Sequence, residues 1–222
     1  MSGLSNLNKQ YLTYLVKYPL LTKAVTAGVF SGLSEIVSSG ITNEFKETVV
    51  FGKYKVKHFF TRKLLTMIIY GSLIATPISH NLYEIINNKL FVGTLTTKGK
   101  ILKILTSLST VTPLLSACFT AWIALINNYE IGKEFSPCTE IKKIIAIAKA
   151  GLKKGYTTVL KSSLVTSFFS LIVAQKFIPP QLWVVFFNLV YFVLGTYQNT
   201  KLKLAQKKLR LQQEKEQEKK EE

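Results

Sequence analysis

The chain reads as long uncharged runs separated by clusters of lysine. Leu64 to Tyr83 is 20 residues without an acid, lysine or arginine, Ile104 to Tyr129 is 26, and Phe177 to Thr200 is 24. Each meets the roughly 20 residues that a helix needs to cross a hydrocarbon core about 30 Å thick. Leu20 to Ile41 is apolar enough to span as well, although it carries Lys23 near one end and Glu35 inside. The pattern predicts an all-α integral membrane bundle with four transmembrane helices, at about 20–41, 64–83, 104–129 and 177–200. Ser162 to Gln175 offers only 14 residues between Lys161 and Lys176, a length that suits a re-entrant or tilted fifth segment better than a full crossing.

Between the third and last spans, Ile141, Ile144, Ile145, Ala148, Leu152 and Tyr156 recur at helical spacing. Lys142, Lys149 and Lys153 fall on other faces, so 141–161 reads as an amphipathic helix on the membrane surface or under the bundle. Residues 1–200 form one transmembrane domain in this reading. Residues 201–222, with eight basic and five acidic side chains, form a solvated tail.

Composition supports the membrane class: 48% of the 222 residues are hydrophobic, and the net charge is +17. The basic residues flank apolar spans instead of building one face of a soluble domain, which argues against nucleic acid as the partner. Lysine and arginine divide 14 against 13 between the two sides of a four-span topology. The positive-inside rule therefore assigns no orientation. Asn6, Asn8, Lys9, Gln10 and Lys17 interrupt the first 18 residues, so no cleaved secretory signal is expected. Cys118 and Cys138 do not make a disulfide framework.

Polar groups inside the spans carry the functional argument. Glu35 at membrane depth must face the bundle interior or a hydrated cavity, because an unpaired charge in hydrocarbon costs a few kcal/mol or more. It is either tied to a neighbouring helix or part of a pore wall. Ser31 and Ser38 share the polar side of that helix, and Gly28 and Gly32 form a small-xxx-small pair that permits close helix approach. The third span repeats the pattern with Thr106, Ser109, Thr110, Pro113, Ser116 and Thr120, and the last with Asn188, Tyr191, Gly195 and Gln198. Such stripes either bond across helices or wet a conduit. Pro77, His80 and Tyr83 mark a kink in the second span, and Pro113 one in the third. With two histidines and two distant cysteines, no metal site, cofactor site or catalytic residue is expected. No phosphate loop, dinucleotide fingerprint or nucleophile elbow occurs.

Several of these residues resemble one family. The run Tyr18 to Gly28 looks like the first-span motif of the peroxisomal membrane protein 2 family. Tyr70-Gly71 followed by Pro77, Ser79, His80 and Tyr83 resembles its second-span motif, Pro113 stands where the third span carries a proline, and Phe177-Ile178-Pro179 with Val185, Phe186 and Asn188 resembles the final segment. The chain departs from the pattern at Ser34-Glu35, Ser107-Leu108, Ser167-Phe168-Phe169 and Trp183. The resemblance, from about Leu12 to Lys201, implies a multi-pass protein of the peroxisomal membrane, with mitochondrial inner-membrane relatives as the alternative location. It implies a pore for small hydrophilic metabolites, formed by one or more copies, and insertion through a membrane-protein import receptor.

On this reading the protein is a solute channel and not an enzyme, its wall built from Glu35, Ser31, Ser38, Thr106, Thr110, Ser116, Asn188 and Gln198. Its partners are the lipid bilayer and small hydrophilic solutes. The alternative is a non-conducting structural or scaffold protein that recruits partners through its basic tail.

Overall fold

The structure is a computed structural model of the full chain, and it describes residues 2–50, 54–58, 61–93, 96–129, 136–178 and 183–221. It is almost entirely helical. Helices α1 (Ser2–Lys17) and α2 (Pro19–Thr42) lead to two short strands, β1 (Lys46–Val50) and β2 (Tyr54–His58). Next come α3 (Arg62–Ile69), a π-helical turn at Tyr70–Ala75, α4 (Thr76–Ile85) and a second π-helical turn at Ile86–Leu90. The long helices α5 (Thr97–Asn128), α6 (Pro137–Phe177) and α7 (Trp183–Glu221) complete the chain.

The helix ends follow local chemistry. Pro19 opens α2 where its missing N–H is no loss. Asn43 closes that helix in the left-handed conformation at φ 55°, while the Glu44 amide donates back to the Ser39 carbonyl at 2.9 Å. The Thr61 and Thr96 hydroxyls accept from the Leu64 and Gly99 amides at 3.2 and 3.3 Å, capping α3 and α5. β1 and β2 pair antiparallel with Lys46 opposite His58 and Val50 opposite Tyr54. This small ribbon, rich in valine, departs from the all-helical expectation for the loop between the first two spans.

Three helices among the described residues are long and apolar enough to cross a membrane: α2, α5 and α6 over Pro137–Ala174. The expected span 64–83 is divided among α3, the first π turn and α4. Pro77 contributes no N–H, and in the turn before it the Thr76 amide and hydroxyl both reach the Gly71 carbonyl, the hydroxyl at 2.7 Å. That widened turn accommodates the proline. Pro113, by contrast, lies inside a continuous α5. Part of the expected last span, residues 179–182, lies outside the described residues.

Two expectations are corrected. The surface helix 141–161 and the re-entrant segment 162–175 are one unbroken helix, α6, 41 residues long. Lys161 does not break it, because an exposed lysine fits within a helix and the backbone ladder continues through Ser162 and Ser163. Likewise, the supposed boundary at residue 200 falls inside α7, which runs on without interruption to Glu221.

The core is built where α3, its π turn, α5 and α6 meet. Met67, Tyr70, Phe119, Ile123 and Val159 are buried together, with Trp122, Ile126 and Leu202 packed around them. Tyr70 stacks on Trp122 at 6.0 Å and donates to the Leu115 carbonyl at 3.4 Å, and the Trp122 indole N–H reaches the Thr66 carbonyl at 3.1 Å. Both aromatic polar tips are therefore satisfied inside an apolar cluster. On the other side, α2 lies on α3 and the first π turn, with Gly28 against Ser72 and Gly32 against Ile68. Gly71 is the tightest point of that contact, since a side chain there would run into the Ser31 hydroxyl and the Ala27 carbonyl.

Candidate functional site

The most strongly polar buried cluster lies between α2 and α7. Helical spacing puts Glu35, Ser38, Ser39 and Thr42 along one side of α2, and Thr196, Asn199 and Lys203 along one side of α7. Glu35 and Lys203 are each 2% exposed, and the Lys203 ammonium donates to Glu35 Oε1 at 2.7 Å. Asn199 Nδ2 donates to Glu35 Oε2 at 2.6 Å and to Ser38 Oγ at 2.9 Å. Ser39 Oγ accepts from Lys203 at 2.8 Å and donates to Glu35 Oε1 at 3.2 Å. One turn away, the Thr196 hydroxyl donates to Ser34 Oγ at 3.2 Å.

The network closes on itself electrostatically. Both carboxylate oxygens of Glu35 are engaged, and the ammonium is offset by a charge of opposite sign. This is the arrangement under which a buried ion pair is tolerated, and it makes either partner costly to remove alone. Towards the strands, Glu44 stands 3.8 Å from Lys203 and 3.3 Å from Lys63, extending the chain of charges to the start of α3. Chemically the cluster is a clamp: its acid is neutralised and held by four polar partners, Lys203, Asn199, Ser39 and, through Asn199, Ser38.

Two smaller polar contacts join other helices. Gln198 Nε2 on α7 donates to Ser162 Oγ at 2.8 Å, Ser163 Oγ at 3.0 Å and the Val159 carbonyl at 3.3 Å, which ties α7 to α6. Lys23 Nζ on α2 lies 3.4 Å from His80 Nδ1 on α4. An ammonium only donates, so His80 Nδ1 is the accepting nitrogen in this contact.

The eight side chains expected in a pore wall are distributed among separate contacts. Glu35 and Ser38 belong to the α2–α7 clamp, Ser31 lies against Gly71, and Gln198 binds α6. Ser116 is buried beside Thr120, whose hydroxyl donates to the Ser116 carbonyl at 2.7 Å. Thr106 and Thr110 turn their hydroxyls onto the carbonyls of Leu102 and Thr106, at 2.9 and 2.7 Å. Asn188 is half-buried on α7, and Tyr83 is exposed on α4. Of these, Glu35 and Ser38 are brought together through Asn199, and the others lie at separate contacts. Asn199 and Lys203 were missed, the first as one polar residue at a span end and the second as part of a solvated tail. Their spacing with Thr196, three and four residues apart, is the signal that could have found them.

The profile described as the Mpv17 / PMP22 family matches residues 142–199. The chain is 35% identical over 193 residues to the Woronin body membrane protein wscA of Aspergillus fumigatus, covering 87% of this chain and 75% of that protein. It is 32% identical over 189 residues to the Woronin sorting complex protein of Neurospora crassa, covering 85% of this chain but 54% of that protein, so it spans about half the length of that relative. To the peroxisomal membrane protein PMP22 of Arabidopsis thaliana it is 27% identical over 191 residues, 85% of this chain and 86% of that protein. No solved structure matches. From these relatives and its apolar helices, the chain belongs to the Mpv17/PMP22 family and is a protein of the peroxisomal membrane.

Proposed function

We propose that this protein is a non-catalytic, non-conducting scaffold of the peroxisomal membrane, which holds or sorts partner proteins there. The observation that carries the reading is the closed Glu35–Lys203–Asn199 clamp. It commits Glu35, the ionisable group expected in a pore wall, to joining α2 to α7, and it makes the start of the basic C-terminal segment part of the fold. Beyond the clamp, α7 continues to Glu221 and presents exposed Lys207, Lys208 and Lys215. At 1.5 Å per residue, the stretch from Lys203 to Glu221 is about 27 Å long, a rigid arm suited to recruitment. Two relatives carry Woronin body and Woronin sorting in their names, which supports a sorting role.

A second reading, a solute conduit formed between copies, draws on the exposed Ser109 and Thr110 of α5, which could face another subunit across a wet interface. One experiment separates the two. The full chain is reconstituted in liposomes loaded with size-graded neutral and charged solutes. The scaffold reading requires release no faster than from empty liposomes; release that depends on solute size and is changed by Ser109→Leu or Thr110→Leu would establish the conduit instead.

A further inference from the structure

The lysine-rich and apolar surfaces meet in one place that neither reading uses. Near Gln198, α6 and α7 are bonded together, but further along they leave an open cleft of about 570 Å³. Phe186, Leu189, Val190, Val193 and Leu194 of α7 form its apolar wall, Thr166 of α6 stands opposite, and Tyr197 closes one end. Tyr197 also borders a second, smaller cavity lined by Thr158, Val159, Ser162, Gln198, Lys201 and Leu202. The two share Tyr197, so the oily groove has its mouth where Lys201 stands beside that ring.

That mouth has the composition of a lipid headgroup level. Lys201 Nζ lies 3.5 Å from the Tyr197 hydroxyl and 5.7 Å from its ring centre. Exposed Lys161 stands one turn from Thr158 on α6. Tyrosine and lysine at the end of an apolar helix mark the membrane interface. From Phe186 to Tyr197, α7 rises about 16 Å at 1.5 Å per residue. This is close to half of a hydrocarbon core about 30 Å thick, the depth of one leaflet.

We propose that the α6–α7 cleft is a binding site for an anionic phospholipid. One acyl chain lies along Val193, Leu189 and Phe186, and the phosphate meets Lys201 and Lys161 at the mouth. Depth matches the groove to a chain of one leaflet, and charge matches the mouth to an anionic headgroup over a zwitterionic one. The site depends on neither the scaffold nor the conduit reading, since it lies on the outer face of the α6–α7 pair.

The test uses the full chain in phosphatidylcholine nanodiscs containing either phosphatidylinositol or phosphatidylcholine spin-labelled at mid-chain. Electron spin resonance reads the motionally restricted fraction of each. Phosphatidylinositol should be retained several-fold over phosphatidylcholine. A surface lysine contributes about one kcal/mol towards an anionic lipid, or roughly fivefold, so Lys201→Gln should cut the preference by about that factor. Val193→Trp, which fills the groove from an exposed position, should release both labels, and unchanged circular dichroism would show that each variant still folds. Equal retention of the two lipids by the unaltered chain overturns the proposal. So does a preference that survives Lys201→Gln, a restricted fraction indifferent to Val193→Trp, or full displacement of the lipid by soluble glycerol phosphate, which would make the mouth a free-phosphate site.

Discussion

Lys203 Nζ sits 2.7 Å from Glu35 Oε1 across 168 residues of sequence, and both side chains are almost completely buried. The pair fixes the register of α7 on α2, because a shift of one residue would carry the ammonium away from its carboxylate by about 100° around the helix. Replacing one partner strands the other as a buried charge. Glu35→Gln or Lys203→Met should each cost roughly 3–5 kcal/mol. The double variant Glu35→Gln/Lys203→Met should cost clearly less than the sum. Thermal unfolding of the four proteins in one detergent gives the cycle, and strictly additive losses would show that the pair is not coupled.

The clamp also sets where the chain can be shortened. Ending it at Thr200 removes Lys203 and leaves Glu35 without its counter-charge, so the apparent melting temperature should fall sharply. Ending it at Gln206 keeps the clamp, removes Lys207, Lys208 and Lys215, and should leave melting nearly unchanged. Partner recruitment through the exposed arm should nevertheless be lost in the second truncation. Equal melting of the two truncations would remove Lys203 from the fold.

Two glycines in helical segments should respond oppositely to alanine. At Gly71 a Cβ would fall 2.6 Å from the Ala27 carbonyl oxygen and would strike the Ser31 hydroxyl. Gly71→Ala should therefore destabilise by about 1–3 kcal/mol through overpacking. Around Gly40 nothing lies within 4 Å of the added atom. Gly40→Ala should be neutral or stabilise by roughly 0.5–1 kcal/mol, from the lower entropy cost of ordering alanine. A melting comparison in detergent decides it, and a harmless Gly71→Ala would mean that α2 and the π turn are less closely packed than described.

Gln198 holds α7 to α6 at Val159, Ser162 and Ser163. Gln198→Leu leaves the Ser162 and Ser163 hydroxyls without their cross-helix donor and should cost on the order of 1–3 kcal/mol. Loosening should be local. Cysteines introduced at Val159 and Leu202 should crosslink more slowly in this variant, whereas a pair at Ser34 and Thr196 should be unaffected. Parallel losses at both pairs would instead indicate global unfolding.

Much of the fold was legible from periodicity and charge spacing. Uncharged runs of 20 residues or more can be accommodated in a bilayer only as helices, since the backbone must satisfy its own hydrogen bonds there. That reasoning yields α5 and the apolar stretch of α7 whatever the partners, the apolar character of Leu20 to Ile41 yields α2 despite Lys23 and Glu35, and the run from Tyr18 to Gly28 pointed to the right family. It also required that Glu35 turn inward. It could not say towards what, because a carboxylate in a pore and a carboxylate in an ion pair obey the same rule when read along one helix.

Tertiary packing decided the rest. Lys203 looks like one of eight cations in a solvated tail until α7 is laid against α2, where the contact with Glu35 offsets the cost of dehydrating it. Lys161 looks like a boundary until α6 is seen to continue past it, because a single exposed charge costs a helix little. The sequence by itself determined which residues must be helical and which polar groups needed partners. Only the three-dimensional arrangement determined the partners, since an ion pair between α2 and α7 depends on distances in space that no local pattern encodes.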